Sequence, residues 1–128
     1  MDKKVRADEQ ELADAIRKGA RCRHEQLFGA YFEGTERSDA LGSAYEAIYR
    51  LPADATGIRP KGIYKFFACL DDRVRQCPEP GCIKHHFLDT LIIHLNDDHL
   101  WSRERIAAYI DGELDASADP GPSKPRSG

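Results

Sequence analysis

The apolar positions of this chain fall into blocks of helical period separated by turn residues. In "DEQELADAIRKGARC" Leu12, Ala13, Ile16 and Ala20 recur at helical spacing, Asp8 and Glu11 form a capping-box pattern, and Gly19 offers a stop. A first helix is predicted over about 8–18. "EQLFGAYFEGTER" is short, aromatic and rich in turn residues, and fits either a brief helical turn or a strand. In "RSDALGSAYEAIYRL" Leu41, Ala44, Tyr45, Ile48 and Tyr49 share one stripe behind Ser38 or Asp39, which predicts a second helix with a side-chain cap.

Ile63, Phe66, Phe67, Leu70 and Val74 form a further stripe after Pro60, which predicts a third helix, although Tyr64 to Leu70 also fits a buried strand. A helix over about 85–96 and a last one from Ser102, with Ile106 and Ile110 on one face beside Ala107, complete the pattern. The residues after 114 carry no bulky apolar side chain and are dominated by proline, glycine and serine. The expected organisation is a short flexible segment over 1–7, one mainly α-helical domain over 8–114 with an embedded zinc-finger-like site, and a disordered tail over 115–128.

The candidate chemistry lies in "QCPEPGCIKHHFLDTLIIHLNDDHLW". Cys77, Cys82, His94 and His99 read C-x4-C-x11-H-x4-H, one residue short in the middle of the two-cysteine, two-histidine zinc-finger spacing. Thiolate and imidazole suit a borderline-soft cation, and "PEPG" is a turn able to set both sulfurs on one side of it. On an unbroken helix, at about 100° per residue, His94 and His99 would point some 140° apart. The helix must therefore end or tighten between them, and Asn96, Asp97 and Asp98, whose side chains compete for backbone hydrogen bonds, permit the break. His85 and His86 are alternative ligands close to Cys82. Cys69 reads as a core residue and the Cys22–His24 pair as a much weaker site.

Base-reading positions of such a finger fall on Phe87, Thr90 and Ile93, which offer little of the hydrogen-bonding chemistry that distinguishes bases. Phe87, Leu88, Leu91, Ile92, Ile93 and Leu95 surround most of the helix with apolar surface, which predicts that it is buried. Zinc is thus expected to clamp a core helix. A helix-turn-helix would need a second helix after the Ser102 helix, and a His-Asn-His nuclease would need more chain between His86 and Asn96. Four good ligands also leave no open position for a catalytic zinc, so an enzyme is not expected.

The formal net charge of −3 gives no general attraction to a phosphate backbone. Charge is nonetheless uneven, because residues 57–84 hold Arg59, Lys61, Lys65, Arg73, Arg75 and Lys84 against Asp71, Asp72 and Glu79. That basic segment is a candidate partner surface. The charged start of the chain lacks the pattern of a secretory signal and its apolar runs are too short to span a bilayer, so a cytoplasmic location away from membranes is expected.

"GAYFEGTERSDALGSAYEAIY", the cysteine turn and above all "HLNDDHLWSRERIAAYI" resemble a set of small uncharacterised proteins of bacteria and their phages, over most of residues 8–114. The resemblance implies a phage or mobile-element setting and no particular activity. Together these readings lead to a small zinc-stabilised binding or regulatory protein acting on a protein partner. A nucleic-acid-binding transcriptional regulator using the basic segment is the alternative.

Overall fold

A computed structural model of the chain describes residues 6–34, 36–51, 55–56, 60 and 62–113. Helices α1 (Ala7–Cys22), α2 (Ala40–Tyr49), α3 (Leu88–Asp97) and α4 (Arg103–Ile110) dominate it. Three two-residue strands, β1 (Glu25–Gln26), β2 (Phe32–Glu33) and β3 (Arg37–Ser38), lie between α1 and α2 in the order β1-β3-β2. A hairpin of β4 (Val74–Gln76) and β5 (His85–Phe87) leads directly into α3. The undecided aromatic segment contributes the short strands β1 and β2 and the start of β3, with residues 27–31 irregular between β1 and β2.

Leu12, Ala13 and Ile16 of α1 bury the stripe that the periodicity marks, against Leu41 and Ala44 of α2 and Ile106, Ala107 and Ile110 of α4. α1 nevertheless passes through the expected stop at Gly19 and continues to Cys22. A Cβ on Gly19 would lie 1.7 Å from the Ser43 carbonyl oxygen, so this glycine permits the close α1–α2 crossing and does not end the helix. The cap also differs from the Asp8/Glu11 expectation. Arg6 is the N-cap residue, and its backbone N–H donates to the Glu9 carboxylate at 2.9 Å. Asp39 caps α2 as expected, accepting from the Gly42 N–H at 2.6 Å.

The third predicted helix does not form. Ile63–Lys65 and Ala68–Asp71 are separate 3₁₀ turns, and Val74 belongs to β4. Two causes are visible. The Cys69 N–H, which a continuous helix would direct to a carbonyl one turn back, donates to the Asp8 carboxylate at 2.8 Å. Pairing of Val74 with Phe87 across the hairpin claims the end of the stripe. Ile63, Phe67 and Leu70 still reach the core, but Phe66 and Val74 of the same stripe are exposed.

Polar side chains tie α3 and α4 to the rest. Asn96 is fully buried, accepting from Gln26 Nε2 at 2.7 Å and the Ala40 N–H at 3.2 Å while donating to the Leu27 carbonyl at 2.8 Å. The buried Arg103 guanidinium donates to the carbonyls of Arg23 at 2.6 Å and His24 at 2.8 Å. These bonds satisfy backbone groups that short strands leave unpaired, and so fix the helix that carries the candidate ligands.

Candidate metal centre

Cys77 and Cys82 flank the turn of the β4–β5 hairpin. The Cys77 N–H donates to the Lys84 carbonyl at 2.8 Å, extending the ladder, and the Cys82 N–H donates back to the Glu79 carbonyl at 3.0 Å. Gly81, at φ +87°, supplies the left-handed residue that closes this turn. α3 follows β5 without a linker, and its last turn and the residues just after it bring His94 and His99 to the two sulfurs.

The helix ends at Asp97, as the ligand spacing requires, but its final turn loosens instead of tightening. The His94 carbonyl accepts from both the Asp98 N–H at 2.9 Å and the His99 N–H at 3.3 Å, and Trp101 N–H reaches back to the Leu95 carbonyl at 2.9 Å. The bond spanning five residues is of the wide, π-helical kind, which reduces the divergence of residues five apart. Leu100, at φ +58°, then reverses the chain.

One donor atom from each of Cys77, Cys82, His94 and His99 lies within 4.8 Å of the others. His94 Nε2 is 3.5 Å from Cys82 Sγ and 3.1 Å from His99 Nε2. Metal–sulfur and metal–nitrogen bonds of about 2.3 and 2.0 Å in a tetrahedron give sulfur–nitrogen and nitrogen–nitrogen edges of about 3.5 and 3.3 Å. Two edges of the donor set, 3.5 and 3.1 Å, are close to those of a tetrahedral site, and two thiols with two imidazoles form a group that could hold a metal ion. Cys77 is buried and the other three are partly buried.

Charge at the site is divided between the sulfurs. Hydrogen bonding from the Lys84 backbone, then from His94 and His99, brings the Cys82 thiol down to about 6, whereas burial pushes Cys77 up to about 11. A divalent cation ligated here would favour the thiolate form of both cysteines. Burial alone would lower the His94 imidazole, but the Cys82 thiolate and the Asp98 carboxylate outweigh it and raise it. Asp98 Oδ2 lies 2.7 Å from His94 Nδ1, an arrangement that keeps a proton on that nitrogen and leaves Nε2 as the donor.

Glu79 adds a second brace. Its carboxylate accepts from the buried Trp101 indole N–H at 2.6 Å, pinning the cysteine turn to the lead-in of α4. The Arg105 guanidinium lies 3.7 Å from the centre of the Trp101 ring. The i, i+4 spacing of His94 and Asp98 was a readable signal for the first brace. Nothing in the sequence marks the second.

The other candidates separate. His86 is half-buried with its ring 5.3 Å from that of His94, and the exposed His85 turns its Nδ1 to the Ile83 carbonyl. Neither joins the four-residue cluster. Cys69 is a core residue and Cys22 is exposed.

The basic segment is not one surface. Arg75 is buried, with its guanidinium 2.8 Å from the equally buried Glu9 carboxylate of α1. Lys65, Arg73 and Lys84 are exposed, and Arg59 and Lys61 lie outside the described residues, as does the 115–128 tail. α3 is also less enclosed than its composition predicts. Leu88, Leu91, Ile92 and Leu95 are buried, but Phe87 and Thr90 are exposed and Ile93 is half-buried, because the hairpin and helix neighbours cover one side only.

No family model, curated protein or solved structure matches the chain. The likeness to small bacterial and phage proteins therefore rests on the quoted residues alone.

Proposed function

We propose that this chain is a zinc-stabilised binding module that acts through contacts with another protein, its metal being structural. The observation that carries the reading is the convergence of Cys77, Cys82, His94 and His99, whose donor atoms, one each, lie within 4.8 Å of one another. Two thiolates and two imidazoles favour zinc among common divalent cations, and four protein donors leave no open position for substrate or water. The centre joins the hairpin to α3, and Glu79 links it to Trp101, so the metal's binding energy stabilises the junction of hairpin, α3 and α4. In isolated fingers that energy is about 10 kcal/mol or more, comparable with the stability of a whole domain.

A base-reading role is less well supported. Phe87, Thr90 and Ile93 offer one hydroxyl among them, Arg75 is spent on Glu9, and the net charge is −3. Chelation tests the structural role: removing zinc is expected to lower the melting temperature and helicity together. Unchanged circular dichroism in demonstrably zinc-free protein would contradict it.

A further inference from the structure

The chain itself brings Cys77 and Cys82 together. Both flank one turn, fixed by the Cys77 N–H donating to the Lys84 carbonyl at 2.8 Å and the Cys82 N–H donating to the Glu79 carbonyl at 3.0 Å. Pro78, Glu79, Pro80 and Gly81 separate them in sequence, and their sulfurs lie within 4.8 Å of each other. A disulfide of about 2.05 Å therefore asks the two sulfurs to close by less than about 3 Å.

The two thiols differ in access. Cys77 is 4% exposed, whereas Cys82 is half-buried and followed by the exposed Ile83 and Lys84. A small oxidant meets Cys82 first and finds a second thiol beside it, which is the arrangement of an attacked cysteine with its resolving partner. The other cysteines stand apart. Cys69 is in the core and Cys22 is exposed at the end of α1, and neither belongs to the four-residue cluster.

We propose that Cys77 and Cys82 form a peroxide-sensitive dithiol whose oxidation to a disulfide dismantles the metal centre. The inference rests on the zinc-module reading and names how that same centre is regulated. The Cys82 thiolate attacks one oxygen of hydrogen peroxide: a sulfur–oxygen bond forms, the oxygen–oxygen bond breaks and hydroxide leaves. The Cys77 thiolate then attacks the sulfenic sulfur of Cys82: the disulfide forms, the sulfur–oxygen bond breaks and a second hydroxide leaves. Two thiolates give up two electrons and one peroxide takes them, so the step balances without a further partner. A disulfide offers no thiolate, and His94 and His99 alone do not make a four-coordinate site, so the cation is released. The turn between the thiols also carries Glu79, which accepts from the Trp101 indole N–H at 2.6 Å, and through it the change reaches the lead-in of α4. The four-residue spacing differs from the two-residue motif of dithiol oxidoreductases, which favours a switch over a catalyst of disulfide exchange.

The test treats the full chain, loaded with zinc, with hydrogen peroxide. A chromophoric chelator reads released zinc, and peptide mass mapping after alkylation reads the state of each cysteine. The expected result is one zinc released per Cys77–Cys82 disulfide, with a change in emission of Trp101, the one tryptophan of the chain, and recovery of both on adding dithiothreitol and zinc. Dimedone should trap the sulfenic acid on Cys82, and Cys22→Ser should respond as wild type. Zinc and both thiols retained at a dose that fully oxidises the exposed Cys22 would overturn this inference alone. So would zinc loss with Cys82 taken to sulfinic acid and no disulfide, while dimedone adducts on Cys77 instead would overturn the order of attack. Fully reduced protein that binds no zinc, a result seen before any peroxide is added, would overturn the zinc-module reading and this inference with it.

Discussion

The Asp98 carboxylate lies 2.7 Å from Nδ1 of His94, on the side of the imidazole opposite the nitrogen that meets Cys82 and His99. One residue thus ends the helix and fixes the tautomer of a candidate ligand four positions earlier. A ligand held this way binds metal more tightly because its orientation and basicity are set in advance.

Asp98→Ala should reduce zinc affinity by about 10–100-fold, the range for loss of a partner to a metal-bound histidine. Asp98→Asn, which keeps an acceptor but not the charge, should fall between. Competition against a chromophoric chelator measures both. Equal affinity in all three proteins would show that Asp98 is only a surface residue beside the site.

The α1–α2 crossing makes a prediction independent of metal. Gly19→Ala places a methyl where the Ser43 backbone stands, 1.7 Å from its oxygen, and backbone cannot swing aside as a side chain can. A loss of about 2 kcal/mol or more is expected from such overpacking. Denaturant titration of zinc-loaded protein reads it, and an unchanged midpoint would mean that the two helices are not so close.

Asp39 carries a pH signature. Burial is the main cause that raises its carboxyl to about 7 from 3.8, although the Gly42 N–H pulls the other way. The native state therefore holds a proton between about pH 4 and 7 that the unfolded chain has released, and stability from this group is lost as pH rises through that interval. Asp39→Asn keeps a capping acceptor without the titration. Relative to this variant, wild-type protein should lose stability from pH 4 to 7 and stay constant above. Parallel pH profiles for the two proteins would contradict the assignment.

The sequence reveals most where local chemistry and tertiary environment agree. The period of Leu41 to Tyr49 and the cap at Asp39 need only α2 itself, and the ligand spacing of Cys77, Cys82, His94 and His99 is short enough to be read along the chain. The stripe from Ile63 to Val74 misleads because helical period specifies neither where N–H groups bond nor the burial of every member: Ile63, Phe67 and Leu70 are buried, whereas Phe66 and Val74 are exposed. Asp8, distant in sequence, takes the Cys69 N–H, and Phe87 takes Val74 as its neighbour across the hairpin.

The run Asn96-Asp97-Asp98 shows the same limit. Its tendency to break a helix is legible, yet its separate tasks depend on partners far along the chain: Asn96 joins Gln26, Ala40 and Leu27, and Asp97 accepts from the Gly29 N–H at 3.0 Å. Arg75 reads as surface charge in the sequence because nothing in its neighbourhood announces Glu9. Buried ion pairs between distant elements leave no periodic trace.

The most direct measurement is a titration of metal-free protein with cobalt(II), followed by zinc. The visible spectrum of cobalt reports both coordination geometry and thiolate ligation. The account predicts intense tetrahedral bands with thiolate charge transfer, saturating at one cobalt per chain through the single four-residue cluster found among the described residues, and bleached by zinc. The bands should be absent in Cys77→Ser and weak or shifted in His94→Ala. Weak octahedral bands in the wild-type protein, or an undiminished tetrahedral spectrum in either variant, would contradict the assignment of Cys77, Cys82, His94 and His99 as the metal centre.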